Sequence, residues 1–219
     1  MHYESREEML AAFGPYAALF EPLQDVVLPY LTLLHMGDGA RKVVQCIKDV
    51  VGSNEDLEAA TSVLLRDENW RPHLVGAVAV YLGVQTAETL EQVWRTLDAG
   101  SWVVPQLAAV LSLVDRHFLT ASLERLTKRC PIIKYPDYET SDPIEGHVAR
   151  GPANTSERSC KAVSSLLFLL SKDYPEDRDV VVLMNDPGIA EMIADDVDDG
   201  ARIALEWRHQ LIAQAARAT

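Results

Sequence analysis

The 219-residue sequence has few basic residues for its length, with 20 Lys and Arg against 33 Asp and Glu, so its formal net charge is −13. A chain with this charge repels nucleic acid phosphates and anionic lipid headgroups, and it attracts cationic proteins at enhanced rates. We therefore expect no nucleic acid ligand and favour a basic protein as the partner.

Long hydrophobic runs are also missing from the chain. The longest mostly apolar segment, Trp102 to Val114, contains 13 residues and includes Pro105 and Gln106. A membrane-spanning helix needs about 18 apolar residues or more. The first eight residues carry acidic side chains where a secretory signal has basic ones. The sequence thus predicts no membrane span and no export signal.

Cysteine is scarce, and its three positions are Cys46, Cys130 and Cys160. An odd number of widely spaced cysteines is not typical of a disulfide framework. Small buried thiols in a reducing compartment explain the three residues better. We predict a cytoplasmic protein on this ground.

The motifs of common enzymes are absent as well. The sequence has no glycine-rich phosphate loop, no nucleophile elbow, no HExxH and no paired CxxC. Its six histidines are scattered, and nothing local is expected to activate the Cys130 thiolate. We predict no catalytic residue, no cofactor and no metal. A hydrolase that uses Cys130 or a pair of carboxylates is the alternative.

The sequence does contain an internal repeat with a period of about 33 residues. Apolar positions spaced i, i+3, i+4, i+7 occur twice, and this spacing is typical of one face of a helix. The two sets are Leu57, Ala60, Thr61 and Leu64, and then Leu90, Val93, Trp94 and Leu97. Each set is followed by a turn with a Trp, by a Pro and by a nearly continuous apolar segment. The pattern predicts two helices per unit, an amphipathic one and then an apolar one that is covered on several sides.

The same period extends in both directions along the chain. Forward it predicts the set Leu123, Leu126, Thr127 and Cys130, and backward it matches Val27, Leu28 and Leu31. The predicted repeats span about 23–51, 57–84, 87–115, and 119–130 together with 156–171. Segment 131–153 is rich in Pro and Gly and is predicted to be an inserted loop. Segment 187–216 is predicted to form a C-terminal cap with a final helix from about 199 to 216.

The predicted helix boundaries follow from capping residues. Ser53 or Asn54 is predicted to cap the helix that carries the Leu57 set, and acidic residues follow in its first turn. Thr86 or Ala87 is predicted to start the next repeat. Pro29 must start, kink or split any helix that contains it.

The repeat resembles the HEAT-like α-solenoids, in which helical hairpins stack into a curved superhelix. The residues that carry the resemblance are the repeated apolar sets, the apolar second helices and the Trp and Pro residues at the turns. The resemblance implies an all-α fold, a short right-handed α-solenoid that forms a single domain over residues 1–219. An irregular helical bundle is the alternative.

An acidic segment runs from Glu176 to Asp199 and contains a single basic residue, Arg178. Such a run is either a solvated face or a docking surface for a basic protein. The candidate partner-binding residues are Glu176, Asp177, Asp179, Asp186, Glu191, Asp195, Asp196, Asp198 and Asp199.

Residues 195–206 match part of a calcium-binding EF-hand loop. Val197 stands at a ligand position without a side-chain oxygen, and Arg202 stands at a position that is usually apolar. An Asp that caps the final helix, with Glu206 on its surface, explains the same residues without a metal.

Trp70 and Trp102 occupy equivalent places in two repeats. Exposed tryptophans are favoured anchors for a partner, but packing inside each hairpin turn is the reading we favour.

These observations predict a non-enzymatic protein-binding module. Its size and acidity are similar to those of bacterial immunity proteins, which block cationic toxin domains such as nucleases. We therefore expect an acidic inhibitor that sequesters a basic toxin domain. The alternative is a helical-repeat scaffold or adaptor that assembles a complex through its groove or through the 131–153 loop.

Overall fold

The computed structural model describes residues 3–23, 26, 28–127, 139–141, 148–150, 155–194, 196 and 199–218. These residues are overwhelmingly helical, so the predicted all-α class is confirmed. The elements in chain order are α1 Arg6–Phe13, a 3-10 helix Gly14–Phe20, α2 Pro29–His35, α3 Ala40–Ser53, α4 Glu58–Leu65, α5 Trp70–Leu82, α6 Ala87–Asp98, α7 Val104–Val114, α8 Phe118–Thr127, β1 Glu139–Ser141, β2 Val148–Arg150, α9 Thr155–Asp173, α10 Arg178–Met184, α11 Pro187–Ala194 and α12 Gly200–Arg217.

Helices α5 and α7 form the centre of the core. Helix α7 packs against α5, α6, α9 and α12, and α5 packs against α2, α3, α4 and α7. Residues 71–80 of α5 and 104–111 of α7 are all buried. This covering on several sides is the reason that the sequence of both helices is apolar nearly all round, as predicted.

The amphipathic helices of the predicted repeats bury one face each. Leu64 of α4 and both Val93 and Leu97 of α6 are completely buried, and Leu126 of α8 is nearly so. Helix α4 packs against α5 and α6, while α8 packs against α9. Helix α4 therefore lies beside both helices that follow it in the chain, and α8 lies beside α9.

Helix boundaries agree with most of the predicted caps, with one exception. Pro29 is the first residue of α2, and Thr86 is the N-cap of α6. The predicted cap at Ser53 or Asn54 is wrong, because α3 continues to Ser53 and α4 begins at Glu58 without a side-chain cap. Asn54 instead donates from Nδ2 to the carbonyl of Val50 at 2.8 Å, so it closes the end of α3.

Helix α12 packs against α3, α7 and α9. The indole Nε1 of Trp207 donates to the carbonyl of Leu33 at 2.8 Å. Lys48 of α3 donates from Nζ to the carbonyl of Ala218 at 2.6 Å, just beyond the end of α12. The final helix therefore contacts the second helices of several predicted repeats. A helix that only capped the solenoid would contact the last predicted repeat alone.

The connection between α8 and α9 contains the predicted inserted loop. Its described part is a two-stranded antiparallel ribbon, in which Glu139 lies opposite Arg150 and Ser141 lies opposite Val148. The rest of segment 131–153 lies outside the described residues. No helix in the described part of the chain has the length and apolarity needed to cross a membrane.

Candidate partner-binding surface

The acidic segment forms two short helices, α10 and α11, that begin at aspartates. The Asp177 carboxylate accepts hydrogen bonds from the backbone N–H groups of Asp179 at 3.0 Å and Val180 at 3.2 Å. Asp186 accepts from Gly188 at 2.9 Å and from Ile189 at 3.0 Å in the same way. Both carboxylates satisfy N–H groups that a helix leaves unpaired in its first turn. Two predicted binding residues therefore act as helix caps.

Two more aspartates hold the start of α12. Asp196 Oδ2 accepts from the backbone N–H of Gly200 at 2.7 Å and from the hydroxyl of Ser164 on α9. Asp199 has a left-handed backbone conformation with φ of 54°, and its carboxylate accepts from Arg202 N at 3.2 Å and from Arg202 Nε at 2.8 Å. These carboxylates order the start of α12, and Asp196 also ties it to α9.

The remaining predicted residues divide into two groups. Glu176, Asp179 and Glu191 are exposed, and they lie just before α10, on α10 and on α11, respectively. Asp195 and Asp198 lie outside the described residues. Exposed Asp186 adds charge to the same surface although it also caps α11. The exposed carboxylates, not the full acidic run, therefore define the candidate surface.

Helix α10 also exposes apolar side chains that the sequence reasoning did not single out. Val180 and Leu183 are buried, at 1% and 8% exposure, while Val181, Val182 and Met184 are exposed at 44%, 60% and 48%. In sequence alone, the apolar run Val180 to Met184 is compatible with either a strand or a helix. Once it is helical, five consecutive apolar residues cannot all face the core, because successive residues point in different directions.

Two carboxylates of the EF-hand-like segment, Asp199 and Glu206, are paired with Arg202. Arg202 Nε pairs with Asp199, and Arg202 Nη1 pairs with Glu206 Oε2 at 2.7 Å. Asp199 also caps α12, as the interpretation without a metal requires. Within the described ranges, His, Cys, Asp and Glu form no group of three or more that could hold a metal ion.

Trp70 is the first residue of α5 and Trp102 lies in the turn before α7, and their rings pack against each other. Their ring centres are 5.1 Å apart, with an angle of 46° between the planes. Trp70 is half-buried, whereas Trp102 is 46% exposed and lies 5.9 Å from Lys161 Nζ. Packing inside each separate turn is therefore not the arrangement found, since the indole at the start of α5 meets the indole just before α7 and the latter faces solvent.

A buried histidine contacts a serine hydroxyl in the same region. His73 Nδ1 lies 2.7 Å from Ser101 Oγ, and its Nε2 lies 2.8 Å from the carbonyl of Asp67. Because a carbonyl only accepts, Nε2 donates to Asp67, and in the neutral ring the Ser101 hydroxyl then donates to Nδ1. His73 and Ser101 are only 2% and 3% exposed, and Ser101 Oγ also accepts from Val103 N at 3.3 Å. The pair links α5 to the α6–α7 turn. Its burial leaves a substrate no access to either side chain.

The described cysteines do not have the features of nucleophiles. Burial raises the pKa of the Cys46 thiol, and the charge of Asp49 raises it further. Cys160 is buried, and Cys130 lies outside the described residues. A raised thiol pKa lowers the fraction of reactive thiolate at neutral pH.

Asp67, between α4 and α5, is a buried carboxyl at 8% exposure. Burial raises its pKa, and the hydrogen bond from Asn69 N to Asp67 Oδ1, 2.8 Å long, lowers it in part. Burial also raises the pKa of the Tyr3 phenol, and the charge of Asp67 raises it further.

A second acidic surface lies at the other end of α5 from Trp70. A groove of about 450 Å³ is lined by Glu55, Asp56, Glu58 and Thr86, among others. It adds to the negative potential of the protein outside the α10–α11 region.

Comparison of the chain with models of protein families, with curated proteins and with solved structures found no match.

Proposed function

We propose that this chain is a non-enzymatic, cytoplasmic protein-binding module, a short HEAT-like solenoid that binds a basic protein through the exposed face of α10 and α11. Its most specific form is an acidic inhibitor or immunity protein that blocks a cationic toxin domain, such as a nuclease. The solenoid part of the proposal is supported by the contacts of α3 with α5, of α5 with α7 and of α7 with α9.

The observation that supports the binding proposal most directly is the composition of the α10–α11 face. Exposed Glu176 and Asp179 share a short stretch of chain with the exposed apolar residues Val181 and Val182, and exposed Glu191 lies on the adjoining helix α11. Apolar centres with polar rims are typical of protein interfaces. Opposite charge on the partner speeds association and disfavours wrong partners.

The net charge of −13 supports the choice of a basic partner over a nucleic acid or a lipid surface. A small inhibitor needs no chemistry of its own, since it acts by covering the active surface of its target. The absence of enzyme motifs from the sequence is compatible with this role.

The experiment is capture of partners from the source cells at low and high salt. The wild type is compared with a triple variant, Glu176→Gln, Asp179→Asn and Glu191→Gln. The matched control is Glu4→Gln, Glu7→Gln and Asp38→Asn, which changes the net charge equally through exposed residues on other elements.

We expect the wild type and the control to recover one basic protein at low salt and less of it at high salt, and the triple variant to lose it. The recovered protein is then purified, and its activity is measured with and without this chain. Recovery of no basic protein, binding that salt does not weaken, or full binding by the triple variant contradicts the proposal.

A second candidate function is a scaffold or adaptor that uses the edge near Trp102 and the inserted loop. The observation that favours it is the 46% exposure of Trp102, an aromatic residue of the kind enriched in binding hot spots. Replacing residues 131–153 with a Gly-Ser linker separates the two functions. An adaptor loses its partner after this change, while a binder that uses α10 and α11 keeps it.

A further inference from the structure

We infer that the occupant of the α10–α11 face is a cationic amphipathic helix, whose apolar stripe docks on Val181, Val182 and Met184. This inference rests on the proposed function and names the kind of surface that the basic partner presents. It depends on three properties of the face, namely geometry, concentration of apolar area and charge.

The geometry holds these three side chains in place on the outside of the protein. Val180 and Leu183, three residues apart, attach α10 to the core, which turns Val181 and Val182 outward. The helix packs against α8, α9 and α11, and its first turn is capped by Asp177. The apolar side chains are thus presented by a docked helix and need little ordering when a partner binds.

Exposed apolar area is concentrated at this point. Among the described residues six large apolar side chains are well exposed, and three of them lie within four positions of α10. The other three, Leu31, Trp102 and Ile212, are on α2, the α6–α7 turn and α12. Single exposed apolar residues need no explanation, whereas a cluster with a polar rim marks an interaction site.

The charge around the cluster selects the partner. The exposed carboxylates nearest to these apolar residues in the chain are Glu176, Asp179 and Asp186, and exposed Glu191 lies on α11, which packs against α10. An uncharged apolar partner would remove water from these carboxylates without replacing its hydrogen bonds, which is costly. A purely polybasic chain would satisfy the carboxylates and leave the two valines in water. A partner that carries both an apolar stripe and Lys or Arg beside it satisfies both sets of groups.

The secondary structure of the face favours a helical occupant over an extended one. Helices α10 and α11 present side chains and offer no sheet edge. An extended peptide that binds by adding a strand requires an unpaired sheet edge. An amphipathic helix instead docks through apolar side chains at i, i+3, i+4 and i+7.

The experiment uses the full chain and a synthetic helical peptide of Leu and Lys, with Leu at the i, i+3, i+4, i+7 positions. A scrambled peptide of the same composition keeps the charge and removes the stripe, and an oligolysine peptide keeps only the charge. Affinity is measured by fluorescence anisotropy at two salt concentrations. We expect the amphipathic peptide to bind about tenfold more tightly than the scrambled one, from about 1.4 kcal/mol of apolar burial.

Variants identify the docking site on the protein. The double variant Val181→Ser and Val182→Ser should lose about tenfold in affinity for the amphipathic peptide while keeping its salt dependence. Val181→Ala with Val182→Ala, which favours the helix, should show a loss in the same direction. Leu31→Ser is the matched control and should bind as the wild type does. Arg178→Glu should bind more tightly, because Arg178 precedes Val181 by three positions and so shares its side of α10.

The outcomes separate this inference from the proposed function. Equal binding of the amphipathic and scrambled peptides, or wild-type affinity in both valine double variants, overturns the inference. The proposed function can stand even when this inference is overturned. That is the case if neutralising Glu176, Asp179 and Glu191 still abolishes capture of the basic protein. If the valine variants lose the peptide but no basic protein is captured, the helix-binding face remains and the proposed function fails.

Discussion

Arg125 of α8 forms a bidentate ion pair with Asp98 of α6, in which Nε and Nη2 each lie 2.7 Å from a carboxylate oxygen. The same guanidinium lies 4.0 Å from the centre of the Trp94 ring. Trp94 in turn donates from Nε1 to Asp115 Oδ2 at 2.7 Å. These contacts join α6 to α8 and to the residue that follows α7, so polar side chains reinforce the packing between two predicted repeats.

The first prediction concerns this contact. Arg125→Lys keeps the charge but loses the planar fork and the stacking on Trp94, so we expect the free energy of unfolding to fall by about 1–2 kcal/mol. Urea unfolding measures the change. Arg95→Lys is the control, because Arg95 pairs with Glu91 on an exposed surface, and it should cost less than about 0.5 kcal/mol. Equal effects of the two variants would contradict the assigned role.

The second prediction concerns the contact of α12 with α9. A Cβ added at Gly200 would lie 2.6 Å from Lys161 Cγ, 2.8 Å from the Lys161 carbonyl oxygen and 2.9 Å from Ser165 Oγ. We expect Gly200→Ala to destabilise the fold by about 1–3 kcal/mol, because α12 must move away from α9.

The control for this prediction is Gly52→Ala within α3. A Cβ at Gly52 has no neighbour within 4 Å, so the higher helix propensity of Ala should stabilise the protein by about 0.5 kcal/mol. Thermal unfolding of both variants by circular dichroism gives the comparison. A stable Gly200→Ala protein would show that α12 does not need this close approach.

The third prediction concerns the cap of α6. Thr89 N donates to Thr86 Oγ1 at 3.1 Å, and Thr86 N donates to Thr89 Oγ1 at 3.0 Å. Thr86→Ala removes one of these bonds and should lower the free energy of unfolding by about 1 kcal/mol. Ser53→Ala should change it by less than about 0.5 kcal/mol, because Ser53 is the last residue of α3 and not a cap. Chemical denaturation compares the two.

The fourth prediction is a pH dependence that comes from Asp67. Burial raises the pKa of this carboxyl in the folded protein, whereas the unfolded chain titrates near the ordinary value of about 3.9. Between these two pKa values the folded state binds more protons than the unfolded state. The contribution of Asp67 to stability therefore falls as pH rises from about 4 to the raised pKa, and it is constant above that pKa.

Asp67→Asn removes this dependence. The difference in unfolding free energy, wild type minus variant, should decrease as pH rises through the window, and urea unfolding at a series of pH values measures it. Asp38→Asn, in an exposed turn between α2 and α3, is the control. If the difference for Asp67→Asn does not change with pH, the pH dependence does not come from Asp67.

Much of the helical architecture was predictable from local pattern. The spacing of Leu57 and Leu90 with their repeat partners predicts helices whose apolar faces are buried, and Leu64, Val93 and Leu97 confirm it. Apolar periodicity identifies helices well because burial of one face stabilises a helix more than its intrinsic propensity does. The predicted cap at Ser53 or Asn54 fails because α3 extends through Ser53 and Asn54 closes its C-terminal end by donating to the carbonyl of Val50.

The roles of the acidic residues, in contrast, could not be predicted from local pattern. The sequence treats Asp177, Asp186, Asp196 and Asp199 as equivalent to Glu176 and Glu191, since all carry the same charge. The structure separates them, because the first four bind the N–H groups at the starts of α10, α11 and α12 and the last two face solvent. Only the position of each carboxylate relative to a helix start decides between these roles.

The sequence by itself determined the helical class, the burial of the repeated apolar sets and the negative charge, because these depend on composition and on periodicity along the chain. The tertiary structure decided that α12 crosses α3, α7 and α9, that Trp70 meets Trp102, and that Val181 and Val182 face outward. These features depend on contacts between residues far apart in the chain or on which face of a short helix meets the core. Neither is encoded in local spacing, since packing energy is shared among many distant residues.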